Sequence, residues 1–182
     1  MEIKEKFKVD IHTHPHSKSL NVQLYHDSKL IGSPGIQGYY TNIVGKKSFT
    51  PGPNSPAHKI GDWVKSLLIS RYFEQSKVSQ PQEMCSSMWY ATYGREDYAK
   101  SHDHIPFAFW SWVYFINTPP GSSPLVFTTS GKRVKAEPGK LVIFPGWVKH
   151  HVPKNKCEDR VVLVGNVSSQ SPLSSPTGLM PL

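Results

Sequence analysis

Cysteine is nearly absent: Cys85 and Cys157 are the two in 182 residues, too few for a disulfide framework, so reduced thiols are expected. No apolar run approaches the length that crosses a bilayer. The opening residues, Met1-Glu2-Ile3-Lys4-Glu5-Lys6, are charged where a secretory signal needs an apolar stretch. The expectation is a soluble, cytoplasmic protein with no membrane partner. Acidic residues are also scarce, 13 against 21 Lys and Arg, which leaves a formal charge of +8. A basic surface attracts phosphate and so raises a nucleic-acid partner. Yet the cations are scattered in small groups such as Lys46-Lys47 and Lys132-Arg133, with no run of five like charges. Solvated loops explain them better than a nucleic-acid groove. No internal repeat is present.

What is there suffices for one domain with a real core: 37% of the residues are hydrophobic. Residues 1–55 are rich in Gly, Pro, Ser, Asn and His, with short apolar pieces at Val22-Gln23-Leu24-Tyr25 and from Gly38 to Val44, and read as strands and long loops wrapping a core built elsewhere. Ser55-Pro56 then supplies a helix cap and a first-turn proline, and Ile60, Trp63, Val64, Leu67 and Leu68 recur at helical spacing, which predicts a helix over 56–73. Beyond it, short strands are predicted at 84–93, 107–116, 125–129, 140–144 and 160–167, separated by Pro and Gly turns, the texture of a jelly roll. The expected organisation is a single domain over 1–167 with a β core from 84, then a Ser- and Pro-rich tail over 168–182.

The stretch from Ser101 to Asn166 carries the chemistry. His102 and His104 stand two apart on an extended segment, so both imidazoles project to one face and can meet one ion. A third histidine, His150, follows Gly139, an apolar strand and the turn at Phe144-Pro145. This outlines a three-ligand metal site with open coordination positions, which suits chemistry rather than a structural staple. Neutral imidazole serves iron, zinc, copper or nickel alike. Asp103 points away from its neighbours on a regular strand, though a bulge could re-aim it as a ligand. His151 competes with His150.

Trp89, His102, His104, Ser111, Tyr114, Gly139, Phe144-Pro145, His150, Arg160 and Asn166 follow one another in an order that resembles the double-stranded β-helix core of the Fe(II)- and 2-oxoglutarate-dependent oxygenases, in particular a small bacterial and phage-type group. The resemblance covers a little under half of the chain. It implies a mainly β jelly roll with supporting N-terminal helices, Fe(II) as cofactor and 2-oxoglutarate as cosubstrate. It implies His102, His104 and His150 as catalytic metal ligands, the spacing after Pro145 favouring His150 over His151. The familiar triad of the superfamily is His-x-Asp or His-x-Glu with a distal His; His104 stands where the carboxylate would fall, so a three-histidine face is expected. Arg160 falls where the superfamily commonly places a basic residue for the far carboxylate of 2-oxoglutarate, and Asn166 and Tyr114 are carried over as further cosubstrate contacts. Arg160 shares a strand face with Val162, Val164 and Asn166, so a ligand carboxylate, or an internal partner such as Glu158 or Asp159, must satisfy it. The implied activity is hydroxylation of a small-molecule or peptide substrate.

Three other readings stand beside this one. Val9-Asp10-Ile11-His12-Thr13-His14 resembles the first-strand His-x-His of amidohydrolase barrels, but that fold needs around 250 residues and later ligands. A cupin would share the β-helix and the His pair, yet where its first motif adds a Glu this chain has Ala108 and Phe109. A non-catalytic basic jelly-roll binding module would not need three convergent histidines.

Overall fold

The computed structural model describes residues 6–30, 43–44, 48–49, 51, 54–74 and 85–168. The expected tail beyond Ser168 and the apolar piece from Gly38 to Asn42 lie outside them. Among the described residues there are eleven strands: β1 (Asp10–Thr13), β2 (Ile43–Val44), β3 (Ser48–Phe49), β4 (Cys85–Tyr93), β5 (Tyr98–His102), β6 (Trp110–Asn117), β7 (Leu125–Phe127), β8 (Arg133–Val134), β9 (Lys140–Pro145), β10 (His150–Val152) and β11 (Arg160–Ser168). Two helices precede the main strands, α1 (Ser17–Leu30) and α2 (Ala57–Leu68), the latter running on into a π-helical turn, Ile69–Glu74.

The strands form two antiparallel sheets, one of six strands in the order β1-β9-β6-β11-β4-β3 and one of five in the order β2-β5-β10-β7-β8. Side-chain alternation divides the six-stranded sheet cleanly. Val113, Phe115, Val142, Phe144 and Val162 face the other sheet, where they meet Leu125, Phe127 and Val152. Trp112, Tyr114, Ile116, Leu141, Ile143, Val161 and Leu163 face the helices. The fold is thus three layers, helices on sheet on sheet, and the central strands are buried on both faces. No helix among the described residues is long and apolar enough to cross a membrane.

The second helix forms where its periodicity predicts, burying Ala57, Ile60, Gly61, Val64 and Leu68 along one stripe. Ser55 serves its start, its hydroxyl accepting the Ala57 N–H at 3.2 Å while donating to Asp27. The first helix corrects the expectation of strands and loops there. Its amphipathic signal is weak because it docks through few residues: Leu20 and Leu24 are buried, while Val22 is 63% exposed. Polar contacts complete the docking, with Asn21 Nδ2 donating to the Ile116 carbonyl at 2.8 Å. Helix stability here comes from tertiary packing rather than from its own sequence. Gly139 permits the close approach: its φ is +83°, and a Cβ there would lie 2.4 Å from the Cβ of Ser17 at the helix start.

Candidate metal centre

The strands β5 and β10 are neighbours, and their register sets His102 directly opposite His150. Cross-strand neighbours of this kind bring side chains into contact, and the two rings are 4.4 Å apart between centroids. His104 follows just past the end of β5, its backbone N–H donating to the Gly146 carbonyl at 2.8 Å. Its ring lies 5.1 Å from that of His102 and 5.2 Å from that of His150. One ring nitrogen from each of the three lies within 4.8 Å of the others, and no other His, Cys, Asp and Glu grouping of this kind occurs among the described residues.

Two of the rings are oriented to offer Nε2 to a cation. His102 Nδ1 is 2.7 Å from the Lys100 carbonyl, and His150 Nδ1 is 2.9 Å from the Val148 carbonyl. A carbonyl only accepts, so each Nδ1 carries the proton and each Nε2 keeps a free lone pair. Burial, with the neighbouring His102 adding to it, lowers the pKa of His104 to about 4 and that of His150 to about 3. Both are therefore neutral near pH 7, the form that binds a cation. A glycine brings the loop carrying His104 against the turn that leads into β10. Gly146 N–H donates to the Phe109 carbonyl at 2.8 Å, and a Cβ on Gly146 would sit 2.2 Å from the Ala108 carbonyl oxygen.

The other candidates fall elsewhere. The carboxylate of Asp103 accepts the Ile105 N–H at 3.3 Å and stands outside the cluster. His151 points to the opposite side of its strand, with Nδ1 3.0 Å from the Thr128 hydroxyl. His14 packs edge-on against Trp63, centroids 4.7 Å apart, and joins no metal grouping with His12 or His16.

From the three histidines a cavity of about 70 Å³ runs between the sheets to Arg160, past Trp89, Tyr93, Leu125 and Val162. Arg160 is fully buried. Its Nε–H donates to the Ser123 carbonyl at 3.1 Å, and its guanidinium lies 4.5 Å over the Tyr93 ring. Nη1 has no hydrogen-bond partner. The two acidic neighbours expected as internal partners are engaged elsewhere: Glu158 accepts the Arg95 N–H at 3.2 Å, and Asp159 accepts from Tyr25 and pairs with Lys29. Burial pulls the Arg160 pKa below its ordinary value, opposed by the nearby Tyr93. A buried cation with an idle donor, lining a cavity that also holds three histidines, can receive an anion.

The fold recurs in known structures. The chain is similar to a viral collagen prolyl hydroxylase from Paramecium Bursaria Chlorella virus-1, solved as a 2-oxoglutarate complex, with a TM-score of 0.67 at 12% identity over 87% of this chain and 94% of that one. It matches a Pseudomonas putida prolyl-4-hydroxylase with a TM-score of 0.67 at 16% identity, covering 91% of this chain and 93% of that one. It also matches a prolyl hydroxylase from Trichoplax adhaerens in complex with a hypoxia inducible factor oxygen degradation domain peptide fragment, TM-score 0.64 at 16% identity over 88% and 83% of the two chains. The chain has the prolyl hydroxylase fold. No protein-family model matches the sequence, and no curated protein matches it significantly.

The prolyl hydroxylase fold is the expected double-stranded β-helix, not the eight-stranded α/β barrel of amidohydrolases. Within it the cosubstrate contact expected of Tyr114 is corrected. Its side chain lies on the helix side of β6, buried among Leu20, Leu24 and Leu141, and its hydroxyl donates to Asn21 Oδ1 at 2.7 Å. Asn166 does line the cavity, at the histidine end: its Nδ2 is 3.4 Å from His104 Nδ1, and its Oδ1 accepts the Ser111 hydroxyl at 2.8 Å. Tyr93 and Ser123, which hold Arg160, carry no motif that sequence reading could have found. Register supplies Tyr93, the cross-strand partner of Arg160, and the loop before β7 supplies Ser123.

Proposed function

We propose that this protein is a non-haem Fe(II) dioxygenase that couples decarboxylation of 2-oxoglutarate to hydroxylation of a small-molecule or peptide substrate. The observation that carries the reading is the idle Nη1 of the buried Arg160 guanidinium, set in an apolar cavity that also holds the three convergent histidines. His102, His104 and His150 would hold the iron through Nε2. Arg160, a planar fork in a water-poor site, would take the far carboxylate of 2-oxoglutarate. Bound iron and cosubstrate supply the oxidising chemistry, one oxygen atom of dioxygen entering succinate as carbon dioxide leaves and the other entering the substrate.

The chain's own contribution is placement and exclusion of water. Imidazole brings no charge when it binds a metal, so three histidine ligands would leave the full charge of a divalent ion to attract an anionic cosubstrate. The buried walls formed by Val113, Phe144 and Val162 keep bulk water from the space between metal and guanidinium. A free, buried Cys157 suits a reducing compartment such as the cytoplasm, where iron stays ferrous. A cupin-type metal enzyme has no use for a buried, idle arginine, and a non-catalytic module has none for convergent histidines. The test is Fe(II)-dependent release of succinate from 2-oxoglutarate. Release is expected in wild type and lost in His104→Ala; succinate formation that is indifferent to Fe(II), or absent in the iron-loaded protein, contradicts the proposal.

A further inference from the structure

The three histidines are held in two different ways. His102 and His150 each give Nδ1–H to a backbone carbonyl, so no side-chain substitution removes those supports. His104 has a side-chain neighbour at the same atom, the amide of Asn166, which is tied in turn to Ser111. We infer that Asn166 is a positioning residue for metal binding, fixing the tautomer and ring orientation of His104 through a Ser111–Asn166–His104 relay. This inference rests on the metal-centre reading above and reassigns Asn166 from cosubstrate contact to support of a ligand.

The chemistry requires one arrangement. For Nε2 of His104 to keep its lone pair, the ring must carry its proton on Nδ1, and that N–H needs an acceptor. The amide oxygen of Asn166 is the acceptor when the amide presents it to the ring, and its Nδ2 then donates to Ser111 Oγ. In this structure Nδ2 faces His104, so Nδ1 accepts and the proton sits on Nε2, the ligand position; turning the amide over within the same two contacts returns the proton to Nδ1 and frees Nε2 for a metal. A serine hydroxyl both donates and accepts, so Ser111 serves either state, and the relay can change over by an amide turn and one proton exchange with solvent. The two residues reach this spot by register: Ser111 in β6 pairs with Asn166 in β11, and both side chains face the cavity mouth. Groups that support a metal-binding histidine in this way typically contribute 10- to 100-fold in metal affinity.

The test uses the full chain and two readouts. In the metal-free protein, ¹⁵N NMR of the histidine side chains reports which nitrogen of His104 is protonated. In the loaded protein, anaerobic titration with Co(II) reports affinity and the visible ligand-field spectrum. Asn166→Ala removes the amide partner of Nδ1, and is expected to change the His104 tautomer from that of wild type and to weaken Co(II) binding 10- to 100-fold. Asn166→Asp supplies an acceptor that cannot turn over, so Nδ1–H is imposed and affinity equals wild type or better. Ser111→Ala should give a smaller loss in the same direction, and it carries the test if Asn166→Ala fails to fold. An unchanged tautomer and unchanged Co(II) affinity in folded Asn166→Ala overturn the relay while leaving the metal centre standing. Failure of wild type to bind Co(II) or Fe(II) at all removes the metal centre and the relay with it.

Discussion

Arg160 offers a perturbation with opposite effects on binding and stability. In Arg160→Met a flexible apolar chain of similar reach replaces a buried guanidinium that donates to Ser123, lies against the Tyr93 and Phe115 rings and leaves Nη1 idle. Losing the bond leaves the Ser123 carbonyl unpaired, at about 1–3 kcal/mol. Losing the contact with Tyr93 costs about 0.5–2 kcal/mol. Against these stands relief of an unpaired buried cation, worth several kcal/mol. The net change in the ligand-free protein should be near zero or favourable, a melting temperature equal to wild type or a few degrees higher, since 1 kcal/mol moves a domain of this size by roughly 2–4 °C. Binding of 2-oxoglutarate should collapse. Two charge-assisted hydrogen bonds at about 1.5–3 kcal/mol each imply at least a hundredfold rise in Kd. The assay is calorimetric titration of 2-oxoglutarate into Fe(II)-loaded wild type, Arg160→Met and Arg160→Lys under nitrogen, with melting curves of the same proteins. Lysine keeps the charge and loses the fork, so its affinity should fall between the other two. A methionine variant that binds 2-oxoglutarate like wild type refutes the assignment. One that binds poorly because it melts about 10 °C lower shows Arg160 to be a structural support instead.

Other outcomes follow from the same geometry. His150→Ala should abolish binding of one transition metal per chain while His151→Ala retains it, as counted by metal analysis after gel filtration; equal occupancy in both would misplace the distal ligand. The folded pKa values of His104 and His150, about 4 and about 3, lie below the ordinary 6.5, so the unfolded chain takes up protons that the folded chain does not. Stability of the metal-free protein, full above pH 6.5, should therefore decline as pH falls, by about 2 kcal/mol per group at pH 5, and urea unfolding at pH 7.5 and 5 measures it. A flat profile would mean that these rings are solvated. Gly146→Ala forces a Cβ against the Ala108 carbonyl, so the His104 loop must shift; metal affinity should drop more than tenfold, and an unaffected Kd would show the loop to be free to adjust.

The three-histidine cluster was legible because its ingredients are local: a period-2 histidine pair, then a glycine-led apolar strand whose end is marked by proline. Helix α2 was legible for a similar reason, its apolar residues repeating at the helical interval on one stripe. Helix α1 was not, because Leu20 and Leu24, set among serines, lysines and other polar residues, make a poor amphipathic pattern, and its docking depends on Phe115 and Ile116 carbonyls far along the chain. Tyr114 was misplaced because β6 is buried on both faces, so bulky residues alternate with bulky residues and no polar side marks the outside. Arg160 could be placed on the inner face by alternation, but whether an acid satisfied it turned on the backbone at Asp159, where a φ of +63° accompanies a carboxylate bound to Tyr25 and Lys29. The contact of Asn166 with His104 depends on a pairing 62 residues apart and had no local signal.

Anaerobic addition of 2-oxoglutarate to the Fe(II)-loaded protein tests the central claim most directly. Chelation of iron by the keto acid in a three-histidine site gives a visible charge-transfer band. The account predicts that the band appears, saturates at one equivalent of each component per chain, and is absent in His104→Ala and His150→Ala. Iron that binds at one equivalent without any band on saturation with 2-oxoglutarate would contradict it.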